Sequence, residues 1–139
     1  MKLLFTGSRQ LTAAQTIALL VRGLETLQQW GQARPTLLLH GGAIGADTYA
    51  EEWAQANGMP TEIIRPDYIK QPHRSAALIR NTELVARAEV TLALYAPGQW
   101  RRGGTWDTAQ KTVAAGKPLL EMEGDSQRSY YTPVPLLLC

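Results

Sequence analysis

Five short apolar runs alternate along the chain with four longer stretches of helical spacing, and this alternation restricts the fold more than any single motif does. The runs at 2–6, 36–40, 61–65, 89–95 and 117–122 have the length of strands. Helical patterns open at Thr12, after the glycine turn that follows His40, at Ser75 and at about Thr105, the last three running to about Asn57, Arg87 and Ala115. Strands separated by helices form βαβ units with the strands parallel in one sheet. The run 36–40 is continuously apolar up to its histidine, as expected for a strand covered on both faces. The fold class is therefore α/β, a doubly wound, mostly parallel five-stranded sheet with helices on both faces, and of the common doubly wound strand orders 3-2-1-4-5 is the one expected. The 139 residues suit one domain of ordinary size. That domain is expected over 1–122, with 123–139 as a tail packed on it or on a partner subunit.

Local signals agree with the alternation. Thr12 and Gln15 have capping-box spacing, and Ile17, Leu20, Val21, Leu24 and Leu27 share a helix face before Gly31 and Pro35 end it. Tyr49, Ala50, Trp53 and Ala54 form the inward face of the second helix, which Gly58 ends. Several function classes are excluded or weakened. The net charge of +2 gives little support to a nucleic-acid partner, and no apolar run approaches the ~18 residues of a membrane span. The opening residues are too few and too polar for a signal peptide, and the lone Cys139 agrees with a reducing compartment, so a cytoplasmic protein is expected. Two histidines and one distant cysteine have no metal-ligand spacing, and no cofactor is implied. No Gly-x-Ser-x-Gly elbow is present. His40, Trp30 and Trp53 read as packing residues.

Ligands of doubly wound sheets bind beyond the carboxyl ends of the strands, where the strand order reverses. Four stretches should meet there. Gly7-Ser8-Arg9 offers a close backbone approach, a hydroxyl and a guanidinium fork. Gly41-Gly42-Ala43-Ile44-Gly45-Ala46-Asp47 places three glycines between a buried strand and a helix N-terminus, where free N–H groups attract anions. It is neither a Gly-x-Gly-x-x-Gly fingerprint nor a phosphate loop ending in Gly-Lys-Ser/Thr. Asp47 suits a ribose hydroxyl and equally suits a helix cap. Arg80-Asn81 adds a second fork and an amide, and Gly103-Gly104-Thr105-Trp106-Asp107 repeats the strand–glycine–helix logic. There Thr105 is the expected cap and Asp107 a first-turn acid or a ribose ligand. Arg74, Arg101 and Arg102 lie near in sequence, and Trp100 and Trp106 flank the last loop as stacking or packing residues. A basic crevice in a nearly neutral chain suits a phosphorylated small molecule.

Gly7-Ser8-Arg9, His40-Gly41-Gly42-Ala43-x-Gly45-Ala46-Asp47, Arg80-Asn81 and Gly104-Thr105-x-Asp107, in this order, resemble the YspA/YpsA-related branch of the SLOG superfamily. That superfamily includes the cytokinin-activating LOG phosphoribohydrolases and the DNA-processing Smf/DprA proteins. The resemblance spans about residues 2–122. It implies a Rossmann-like fold, a nucleotide-type site at these same positions and a homodimer. The LOG-type motif Pro-Gly-Gly-x-Gly-Thr-x-x-Glu is not matched. Thr108 stands where its glutamate would be, and Asp107 comes one position early, a rotation of about 100° on a helix. Ala76-Ala77 replaces the branch's Ala-Gly before Arg-Asn. The leading expectation is a sensor or sequestering module for a nucleotide-derived ligand. The alternative is hydrolysis of the N-glycosidic bond of a nucleoside monophosphate, with Asp107 and Arg80 as catalytic residues. The third reading is single-stranded DNA binding, through Arg101, Arg102 and Trp100.

Overall fold

Strands β1 (Lys2–Gly7) and β4 (Val90–Tyr95) lie side by side at the centre of a six-stranded sheet. In the computed structural model, which describes residues 1–124 and 128–133, β2 (Leu37–His40) and β3 (Thr61–Ile63) extend the sheet on the β1 side. On the other side β4 pairs with β5 (Leu119–Glu123), and β5 pairs with β6 (Ser129–Thr132). The first five strands are parallel in the order 3-2-1-4-5, as the sequence predicts. The sixth strand is the difference. Part of the tail folds back antiparallel, with Leu120 opposite Tyr131. Tyr131 fastens β6 to the end of the first helix, stacking on Trp30 at 5.1 Å and accepting a hydrogen bond from Gln32 at 3.1 Å. The end of the tail, residues 134–139, lies outside the described residues.

Side-chain alternation along the strands explains the three layers. Leu3, Phe5, Leu92 and Leu94 point to one face, beneath α1 (Ala13–Gln29) and α2 (Ala46–Ala56), where they meet Leu20, Leu27, Ala50 and Ala54. Leu4 faces the other way, onto Leu84 and Val85 of α3 (His73–Arg87). Ala93 and Tyr95 pack with Ala109 of α4 (Gly103–Ala114). All six residues of β4 are buried, so its Val-Thr-Leu-Ala-Leu-Tyr run reads as apolar with one threonine. That threonine, Thr91, is satisfied by Thr112 at 2.8 Å.

The Thr12–Gln15 capping box forms, with both reciprocal hydrogen bonds in place. Two other helix starts differ from expectation. Helix α3 begins at His73 after Pro72, before Ser75, because Pro72 already has the extended backbone that an N-cap needs. Helix α4 begins at Gly103 with Arg102 as N-cap, so Thr105 is a buried residue within the helix and makes no cap. Asp107 accordingly falls beyond the first turn.

Gly23 lets α1 lie close on the sheet. A Cβ there would stand 2.9 Å from both methyls of the fully buried Leu92. Gly23→Ala is expected to lower unfolding stability in urea by about 1–3 kcal/mol through overpacking, although alanine is the better helix former.

Candidate functional site

The strand order reverses between β1 and β4, and the loops that leave their carboxyl ends diverge from that point. Ser8 prolongs the pairing, its N–H donating to the Leu94 carbonyl at 2.9 Å. The first and second loops interlock. A Cβ on Gly7 would come within 2.6 Å of the Ala46 methyl, and one on Gly45 within 3.1 Å of the Arg9 carbonyl. Gly45 also has φ +102 and Gly42 φ +69, backbone that favours glycine.

The second loop is held from both sides. His40 is buried, and its Nδ1 accepts the Gly42 N–H at 3.0 Å while Nε2 meets Glu51 Oε1 at 2.7 Å. These partners assign the tautomer with its proton on Nε2. On the other side Arg80 Nη1 donates to the Gly41 carbonyl at 2.8 Å, and a Cβ on Gly41 would collide with that guanidinium. The glycines of this loop therefore make room for protein groups. Gly103 and Gly104 differ, since a Cβ on either meets nothing within 4 Å.

Between the loops lies a crevice of about 790 Å³, within the range of small-molecule sites. Of the expected site residues, Gly7, Ser8, Arg9, Ala43, Asp47, Arg80, Asn81, Gly103, Gly104 and Thr105 line it. Gly41, Gly42, Gly45 and Asp107 do not. Asp107 instead accepts from Asn81 Nδ2 at 3.1 Å and from Lys111 Nζ at 2.8 Å, joining α3 to α4. Asn81 in turn accepts from Arg80 Nε at 2.9 Å. The Arg74 side chain lies outside the described residues.

The crevice is cationic. Arg9, Arg80 and Arg102 line it, and among the described residues neither Arg9 nor Arg102 has a carboxylate partner. Burial lowers the Arg80 pKa, and the like charge of Arg9 lowers it further, while Asp47 opposes both. The Arg9 and Arg80 guanidinium groups thus share one space. Asp47 is the acid of the lining, and it accepts the Ala43 N–H at 3.0 Å. Burial pushes its carboxyl above the ordinary value, against the pull of the Ala43 N–H and Arg80.

Sequence reasoning missed Tyr68 and His73, which also line the crevice. A signal existed for His73. His73, Ala77, Arg80 and Asn81 stand at i, i+4, i+7 and i+8, one face of α3. Arg101, by contrast, turns away from the crevice to the buried Glu121, donating at 3.0 and 3.2 Å to its two oxygens. Tyr95 donates to the same carboxylate at 2.9 Å, and its hydroxyl is pushed far up by burial and by Glu121. The Arg101 guanidinium lies 5.1–5.5 Å from the ring centres of Trp100, Trp106 and Tyr130. Both tryptophans are thereby packing residues.

The sheet and its crevice define a Rossmann-like α/β protein with a ligand-type cleft at the strand carboxyl ends. The chain belongs to the YspA, cpYpsA-related SLOG family (YAcAr), whose sequence profile matches residues 1–70. It is similar in fold to the X-ray structure of TM1055, with a TM-score of 0.58 at 19% identity, covering 85% of this chain and 71% of that one. No curated protein matches it in sequence. Among the described residues no helix is long and apolar enough to cross a membrane.

Two outcomes are expected from these charges. A carboxyl with a raised folded pKa adds stability below its unfolded value and loses it as pH rises through the folded one. Asp47→Asn should therefore be more stable than the parent at neutral pH, and urea titrations across the acidic range should show the difference vanish as pH falls. Arg101→Ala leaves Glu121 buried with only the Tyr95 hydroxyl, and should lower unfolding stability by about 1–3 kcal/mol.

Proposed function

We propose that this protein binds a nucleotide or nucleotide-derived ligand in the crevice and acts as a sensor or sequestering module. The observation that carries the reading is the open N-terminus of α4. It has no side-chain cap, its Gly103 and Gly104 present bare backbone, and it faces a space shared by Arg9, Arg80 and Arg102. Such an end attracts phosphate through free N–H groups and the helix dipole. Arg9 and Arg102 add charge-assisted hydrogen bonds to the phosphate. Asp47 lies across the crevice as the acceptor for a ribose hydroxyl.

Binding is favoured over N-glycosidic hydrolysis by the surroundings of Asp107. Its carboxylate is engaged by Lys111 and Asn81 and lies outside the crevice lining, which does not suit a residue that must act on a sugar held there. The single-stranded DNA reading loses its stacking residues, because Trp100 and Trp106 are packed around Arg101.

Gly104→Ala separates the ligand role from the fold. The added methyl meets open space, so thermal stability should stay equal or rise slightly. Calorimetry with nucleoside mono- and diphosphates should show binding by the parent and at least about tenfold weaker binding by the variant. Parent protein that binds none of these compounds, or a variant that binds them equally well, refutes the reading.

A further inference from the structure

We propose that Tyr68 and His73 form the platform on which the ligand's base stacks, so that the crevice selects base-bearing phosphates over plain sugar phosphates. This rests on the reading of the crevice as a nucleotide site and deepens it. Tyr68 and His73 are the two aromatic residues among those lining the crevice. Their rings lie 4.2 Å apart, inclined by only 16°. Tyr68 is still 49% exposed in that arrangement, so the pair is not sealed by the protein. The other aromatic candidates near the site are occupied, Trp100 edge-on to Tyr95 and Trp106 against Arg101.

The platform is held in place by its own loop. Asp67 Oδ1 accepts the N–H groups of Ile69 and Lys70, both at 3.1 Å, which folds the backbone into a turn around Tyr68. Pro72 then starts α3, so that His73 stands at its first residue. One turn further along the same face, Ala77 lines the crevice with a single methyl and leaves room for a flat ring. Arg80 and Asn81 follow on that face, so α3 runs from the stacked rings towards the cationic part of the crevice. A third ring added to the stack gains dispersion and electrostatic contact whatever the base, because every base has a π-face.

The test is calorimetric titration of the parent, Tyr68→Ala, Tyr68→Phe and Ala77→Leu with adenosine diphosphate and with ribose 5-phosphate. The parent should bind the nucleotide more tightly than the sugar phosphate. Tyr68→Ala should weaken the nucleotide about tenfold and leave ribose 5-phosphate unchanged, while Tyr68→Phe keeps the ring and the affinity. Ala77→Leu fills the slot from α3 without touching the loop, and should weaken the nucleotide alone. The platform is overturned if Tyr68→Ala and Ala77→Leu leave nucleotide binding intact, or if they weaken both compounds alike. Equal affinity of the parent for the two compounds also overturns it, with the phosphate site left standing. Parent protein that binds neither compound overturns the platform, and the nucleotide reading falls with it when the other nucleoside mono- and diphosphates also fail to bind.

Discussion

Everything around the crevice at the carboxyl edge of the sheet depends on the pairing of β1 with β4. The two strands are far apart in sequence and parallel, with Leu3 opposite Val90 and Gly7 opposite Leu94. Parallel neighbours need crossover connections, and right-handed crossovers send the chain to opposite sides of the sheet on either side of this pair. The helices that follow β1 and β2 therefore cover one face, and those that follow β3 and β4 cover the other. The loops part at the junction, and the cleft is what remains between them. No residue of the cleft needs to be there for the cleft to exist. The residues decide what it attracts.

Charge is treated differently on the two sides of that cleft. Away from it, acids are matched. Glu121 has Arg101 and the Tyr95 hydroxyl, and Glu51 has His40, Gln55 and Thr61. Burial alone pushes the Glu51 carboxyl up, but its hydrogen bonds together outweigh that and hold it below its ordinary value. Inside the cleft the balance is left open. Arg9 and Arg80 raise each other's energy, and Asp47 is buried with its carboxyl held above its usual range. Groups that would be better paired for folding alone are characteristic of sites that serve a ligand.

Much of this was legible in the sequence, for reasons that differ by element. The parallel sheet followed from βαβ connectivity; the order 3-2-1-4-5 is one of two common doubly wound orders that this connectivity leaves open, and the converging loops followed from that choice. The capping box at Thr12 was readable because its partners are three residues apart. Legibility failed where the deciding contact is distant in sequence, and where a helix start or a loop carries no periodic pattern. Gly41 and Gly104 look alike in the chain, yet one is packed under Arg80 and the other faces open space. The start of α4 two residues early carried Asp107 past the first turn and onto Lys111. Strand β6 has only four residues and is held by Trp30 and Gln32, about a hundred positions away. The stacking of Tyr68 on His73 bridges a loop with two prolines and no periodicity.

His40 and Arg80 grip the two halves of one dipeptide. The histidine accepts a hydrogen bond from the Gly42 N–H and the arginine donates one to the Gly41 carbonyl. The loop between β2 and α2 is thus held in shape by the protein's own groups. An incoming molecule does not have to freeze it, and the conformational entropy of that segment was already surrendered when the chain folded. Whatever affinity the cleft develops is spent on seating the ligand itself, with little of it consumed in shaping the floor beneath.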